Sequence, residues 1–142
     1  MIPNIELLTQ EITEISYPTR TYKIDIRFDP EKTLDEIDDR ISGYTDDLDA
    51  IKQAVYLILS TERYEFIIYS WDYGVELVDL FGKPMPYVMS ELPRRITEAL
   101  TQDDRIDGCK DFEFVKNGKQ LLTTFTVVTT AGDIPTELEV EV

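Results

Sequence analysis

Residues 109–142 read CKDFEFVKNGKQLLTTFTVVTTAGDIPTELEVEV, and their pattern sets the fold class. Two runs rich in Phe, Val and Thr, residues 109–115 and 120–129, flank Lys116-Asn117-Gly118-Lys119. β-Branched and aromatic residues suit a pleated, half-buried surface. Asn-Gly between two such runs is the strongest short hairpin signal, because both residues tolerate the positive φ of a type I′ turn. Ala131-Gly132-Asp133 marks a second turn, after which Leu138, Val140 and Val142 alternate with Glu137, Glu139 and Glu141. Period-two alternation sends the aliphatic side chains to one face and the glutamates to the other. The expectation is a three-stranded antiparallel meander with one face on helices. Its glutamates face water and discourage edge-to-edge association.

Upstream, residues 45–61, TDDLDAIKQAVYLILST, give the clearest helix. Leu48, Ile51, Ala54, Val55, Ile58 and Leu59 share one face. Thr45 or Asp46 can cap its start, and the aspartates favour the positive end of its dipole. Its C-terminal half is apolar nearly all round, which points to a central core helix. GVELVDLFG, residues 74–82, reads as a short helix with Val75, Val78, Leu80 and Phe81 inward, Gly82 as its stop and Asp72 as a cap. KPMP, residues 83–86, reads as a linker. SELPRRITEALTQDD, residues 90–104, is helical with Leu92, Ile96, Ala99 and Leu100 on one side. Pro93 fits only a first turn, or else kinks that helix.

The N-terminal part is less decided. Residues 4–13, NIELLTQEIT, space Ile5, Leu8 and Ile12 as a short helix would, or form a loosely ordered arm. TYKIDIRF, residues 21–28, alternates Tyr22, Ile24, Ile26 and Phe28 against Lys23, Asp25 and Arg27, a half-buried strand. Asp29-Pro30-Glu31-Lys32 turns the chain, and residues 39–45, DRISGYT, supply a second short strand to pair with the first. The fold class is therefore α+β: helices on one face of a small antiparallel C-terminal sheet, with an N-terminal strand pair. Residues 1–47 form an N-terminal arm and strand region, and 48–142 an α+β domain, together one compact unit.

Between the two main helices lies RYEFIIYSWDYGVEL, residues 63–77, with Tyr64, Phe66, Tyr69, Trp71 and Tyr73 close together. Aromatic residues dominate cores and interfaces alike. The expectation is a packed corner that fixes two helices against the sheet, with whatever it exposes used for protein contact. Gly74 supplies a backbone conformation that other residues resist.

Composition narrows the chemistry. The 142 residues contain no histidine and one cysteine. Histidine-dependent nucleophile systems, histidine metal sites, internal disulfides and multi-cysteine zinc sites are all excluded. Cys109 reads as a packed thiol. The charge of −15, from 29 acidic and 14 basic residues, repels duplex nucleic acid and anionic membrane surfaces. No apolar run is long enough to span a bilayer, and residues 1–15 have no basic start of a secretory signal. An intracellular protein is the simplest reading. Glu65, Asp72, Glu76 and Asp79 are the acids with apolar neighbours, as a glycosidase acid would need, but no opposed pair stands out. The aspartate groups at 35–39, 46–49 and 103–107 lack the order of a calcium loop and read as solvated faces. No catalytic set, cofactor or metal is expected. Arg94 and Arg95 read as ion-pair support on a helix; Arg105 reads as either that or a contact for an acidic partner.

At this point AVYLILSTERYEFIIYSWDYGVELVDLFGKP, with LPRRITEALTQDDRI and a hairpin ending FTVVTTAGD, resembles a known family. It is similar to the small baseplate wedge proteins of contractile-tailed phages and prophages, a family once labelled lysozyme-like, and within it to the XkdS-like group. The resemblance covers residues 48–142. In that family a helix leads to a Thr-x-Arg turn, an aromatic-Gly corner, and a helix ending before the sheet in an acidic-x-Arg-Ile step. Thr61, Glu62 and Arg63 match the turn; Trp71, Tyr73 and Gly74 match the corner. Asp103, Asp104 and Arg105 stand where secretion-system relatives carry Glu-Pro-Arg, so that motif's contacts carry over only to Asp103 and Arg105. The resemblance implies a structural subunit that joins other baseplate and tail proteins and helps start the sheath. It implies assembly in the host cytoplasm, a final place in the tail baseplate, and partner-binding residues Arg63, Trp71, Tyr73, Asp103 and Arg105. The alternatives are a cell-wall glycosidase using paired carboxylates and an unrelated acidic adaptor.

Overall fold

The computed structural model describes residues 19–24 and 41–142. The expected features at residues 1–18, Ile26, Phe28, the 29–32 turn and the 35–39 acidic group lie outside the described residues. In chain order come β1 (Thr21–Ile24), β2 (Ile41–Thr45), α1 (Asp47–Leu59), a 3-10 turn (Val78–Leu80), α2 (Met85–Leu100), β3 (Ile106–Asn117), β4 (Gln120–Thr129) and β5 (Gly132–Glu141). β1 and β2 form an antiparallel pair, and β3-β4-β5 form an antiparallel meander. The α+β architecture is the expected one.

Strict alternation along β4 turns Leu121, Thr123, Phe125, Val127 and Thr129 inward. Leu121, Phe125 and Val127 meet Ile51, Val55, Ile58 and Leu59 of α1 and Val88, Leu92, Ile96, Ala99 and Leu100 of α2 in one core. Phe112 stacks on Phe125, centroids 5.1 Å apart, and extends the core along β3. Glu137, Glu139 and Glu141 face water as their spacing requires.

Several boundaries differ from expectation for local reasons. The first hairpin turns at Gly118-Lys119, because Asn117 pairs with Gln120. Only Gly118 has positive φ there, 62°, as a type II′ turn needs; the Asn-Gly type I′ turn is not formed. α2 starts at Met85, within the expected linker, so Pro93 lies inside it and leaves the Met89 carbonyl without its helical donor. Residues 74–82 are not a helix beyond the 3-10 turn, and Val78 and Phe81 are exposed, at 61% and 57%. The Glu62 carboxylate accepts from Leu77 N, 3.0 Å, and Val78 N, 3.2 Å, at the start of the 3-10 turn, and Asp72 does not supply the expected cap. Asp72 is exposed.

α1 is capped by Asp46, whose side chain accepts from Asp47 N at 2.8 Å and from the Thr19 hydroxyl. Hydrogen bonding from Thr19 keeps the Asp46 carboxyl below its ordinary pKa. The inward face is turned slightly from the expected one: Gln53 is buried, Ala54 is half-buried, and Tyr56 is exposed, so the helix is not enclosed all round. Gln53 is inside because it replaces a strand. Its Oε1 accepts from Ile24 N at 2.9 Å and its Nε2 donates to Tyr22 O at 2.8 Å. Those two bonds attach the β1–β2 pair to α1.

Gln53→Ala leaves Ile24 N–H without its partner. Hydrogen exchange is expected to show the Ile24 amide losing most of its protection while β4 amides keep theirs. Equal protection in both proteins would mean that other contacts hold β1.

Candidate functional site

The turn after α1 is a junction of polar contacts. Thr61 Oγ1 donates to Leu57 O at 2.8 Å. Val75 N donates to Thr61 O at 3.0 Å and Arg63 N to Val75 O at 3.1 Å, which makes a short parallel bridge between residues 61–63 and 74–75. Arg63 is turned inward, its side chain only 8% exposed. It lies 3.3 Å from Glu98 and 3.7 Å from Glu76. Its Nε donates to Gly74 O at 3.1 Å. Gly74 has φ 98°, and a Cβ there would stand 2.6 Å from Thr61 O. The bridge therefore demands glycine, as the sequence suggested.

Closing the chain at 61–63 against 74–75 forces residues 64–73 outward as a loop. That overturns the expected packed corner. Ile67 is fully exposed at 102%, Ile68 at 85% and Trp71 at 81%; Tyr64, Phe66 and Tyr69 are exposed too. Tyr73 alone among the aromatics packs partly against the core, stacked on Tyr69 at 4.7 Å. Burial, then the neighbouring Tyr69, raises its hydroxyl pKa.

Beside the loop lies a groove of about 460 Å³ that brings Tyr73 together with Asp103 and Arg105, along with Asp72 and Asp104. Arg105 grips Asp103 with Nε to Oδ1 at 2.8 Å and Nη2 to Oδ2 at 2.6 Å. Arg105 N also donates to Asp103 Oδ1 at 3.0 Å. The guanidinium contact is the main reason that Asp103 titrates below its ordinary value and Arg105 above its own. Trp71 sits on the loop outside this groove, and Arg63 belongs to the scaffold beneath it. Three of the five expected contact residues therefore converge.

The other basic residues of this region act as supports. Arg95 reaches across to Asp79, with Nη2 to Oδ2 at 3.0 Å, and donates to Glu76 O at 2.9 Å. Arg94 bridges Glu91 at 2.7 Å and Glu98 at 3.2 Å along α2. Of the candidate acids, Glu76 is ion-paired with Arg63 and Asp79 with Arg95; Glu65 and Asp72 are exposed. Burial pushes the Cys109 thiol up to about 11, so little of it is thiolate at neutral pH. Among the described residues no three acidic or cysteine side chains converge as metal ligands, and no helix is long and apolar enough to cross a membrane.

The sequence profile of the contractile injection system sheath initiators matches residues 24–132. The chain belongs to that family. The phage-like element PBSX protein XkdS of Bacillus subtilis (strain 168) is 38% identical over 141 residues, covering 96% of this chain and 94% of that protein. The baseplate-type family expected from the sequence is thus the right one. The match reaches further toward the N-terminus than the expected 48–142, taking in residues of the β1–β2 region. Sheath initiators are structural parts of contractile apparatus. The glutamate of the Thr-Glu-Arg turn is the contact that sequence reasoning missed here: its capping of Leu77 and Val78 spans 15 and 16 residues, beyond any local capping pattern.

Two measurements bear on this site. Gly74→Ala is expected to cost roughly 2–4 kcal/mol in urea unfolding, from the left-handed backbone and the clash with Thr61 O. A loss under about 0.5 kcal/mol would show that the bridge yields. For Asp103, a lowered folded pKa gives stability that is complete above the unfolded value, about 4, and lost as pH falls through the folded one. Arg105→Gln removes that component. The melting-temperature gap between wild type and variant is expected to hold from about pH 7 to pH 5 and to shrink below about pH 4. A gap constant down to about pH 2 would exclude the ion pair as its source.

Proposed function

We propose that this protein is a non-catalytic wedge subunit of a phage or prophage contractile-tail baseplate, which joins neighbouring baseplate proteins and helps start the sheath. The reading places its assembly in the host cytoplasm and its final position in the tail. The observation that carries it is the outer edge of β5. Val142 N donates to Lys119 O at 2.7 Å, toward the β4 hairpin. The β4–β5 register runs unshifted from Gly132 to Glu141, so even-numbered residues turn their backbone groups to β4 and odd-numbered ones turn theirs away. Pro135 has no N–H to give, and its odd position costs the ladder nothing. Glu137, Glu139 and Glu141 then offer N–H and C=O groups to an added strand.

The β3 edge is a poorer template. Its register shifts between Ile106 and Gly108 and again between Lys110 and Glu113, where Asp111 has φ 57°. Bulges of this kind blunt an edge against pairing. A second contact is assigned to the groove at Tyr73, Asp103 and Arg105 with Trp71 beside it, supported by the convergence of those side chains. Arg63 holds that surface in place. Glu65, Asp72, Glu76 and Asp79 are exposed or ion-paired, so a glycosidase reading finds none of them set in the apolar pocket its acid would need.

The test uses proline as a donor deletion. Glu139→Pro removes an outward N–H and is expected to keep its melting temperature within a few degrees while losing co-elution with co-expressed tail proteins. Leu138→Pro, whose N–H points into the ladder, is expected to unfold the sheet. Wild-type co-elution by Glu139→Pro would take the β5 edge out of the function.

A further inference from the structure

Loop 64–71 exposes Tyr64, Phe66, Ile67, Ile68, Tyr69 and Trp71 within one short stretch, and exposed apolar side chains clustered in this way mark contact sites. It is also firmly built. Tyr64 packs edge-on to Trp71 at 5.9 Å, and Phe66 edge-on to Tyr69 at 6.2 Å. Tyr69 N donates to Phe66 O at 3.2 Å, which closes a turn over the tip. Tyr64 has φ 69°, a costly conformation for a bulky side chain, and it persists because the base of the loop is closed on both sides. The rings therefore cover one another and present Ile67 and Ile68 to solvent.

Charge says what meets them. From Tyr64 to Asp79 the sequence carries Glu65, Asp72, Glu76 and Asp79 and no lysine or arginine. Asp72 and Asp104 line the groove at the foot of the loop, and among the described residues neither is ion-paired. A second copy would bring the same acidic surface and another −15 of charge, so self-association is opposed.

We infer that loop 64–71 is a preformed plug: Ile67 and Ile68 enter an apolar groove on a different tail protein, whose Lys or Arg rim meets Asp72 and Asp104. This deepens the proposed function and rests on it. Ordering the loop beforehand lowers the entropy lost on docking.

The probe is the set of tail proteins from the same element, co-expressed and purified as a complex. Ile67→Ser with Ile68→Ser alters two solvent-exposed side chains, so the melting temperature is expected to hold while binding to the complex weakens about tenfold to a hundredfold. Asp72→Asn with Asp104→Asn is expected to slow association and flatten its salt dependence. A photo-crosslinking residue at position 67 is expected to label an apolar segment flanked by Lys or Arg. Binding of the double serine variant within twofold of wild type overturns the plug, as does a crosslink to a second copy. If that variant binds normally while Glu139→Pro does not, the plug fails and the baseplate reading stands. If the wild-type protein joins no tail complex, both fail.

Discussion

Gly74 has no side chain because the Thr61 carbonyl occupies the space where one would begin. That close approach lets two backbone strands meet as a parallel bridge at the C-terminal end of α1, and much of the surrounding region follows from it. The bridge fixes where residues 75–80 start, so Val75 and Leu80 enter the core while Val78 and Phe81 stay out. It sets the Glu62 carboxylate under two backbone N–H groups. It gives Arg63 a carbonyl to bind from within, between two glutamates of different elements. Everything between its two ends must leave the core, and the aromatic loop is the result.

Among the described residues, the arginines from Arg63 to Arg105 are used for such internal ties. Arg63, Arg95 and Arg105 each close onto a carboxylate or carbonyl, and two of the three reach across to a different part of the chain. An arginine fork suits this work because it satisfies several acceptors at once and cannot be deprotonated. With those positive charges turned to acids inside the fold, the remaining carboxylates dominate the outside. The net charge is then a property of the surface a partner meets, which is why charge carries information about that partner even though it says nothing of the fold.

The sheet and both main helices were legible because each rests on a repeating pattern. Alternation along residues 120–129 and 135–142 and the three-to-four spacing of Leu92, Ile96, Ala99 and Leu100 are signals that burial later obeys. What was illegible depended on contacts far apart in sequence. The loop at 64–73 is full of ring and branched side chains, and residue type alone argued for burial; only the bridge at its base shows that it is expelled. The cap at Leu77 and Val78 was hidden for the same reason, since Glu62 supplies it from 15 and 16 residues away. The register of the Gly118 hairpin was missed by one residue, because Gly at the first central position and Asn-Gly at both are each good turns and only the pairing of β4 decides. Of the expected contact residues, Tyr73, Asp103 and Arg105 come together, whereas the Arg63 side chain is turned into the fold.

On the proposed reading the protein is joined to others and must hold its surfaces ready, because each side chain ordered on association weakens the contact that orders it. The contact surfaces proposed here meet that requirement by different means. The β5 edge is held straight by an unbroken ladder to β4, and its glutamates deter the chain from pairing with its own kind while leaving a differently charged strand free to add. The loop is held by ring against ring and by a glycine that cannot be replaced without moving the backbone. The groove beside the loop includes an arginine and an aspartate already committed to each other, which leaves Asp72 and Asp104, among its described residues, as the charges open to a newcomer. Order of this sort suits the interlocking subunit proposed above, because fewer side chains then have to be fixed on assembly.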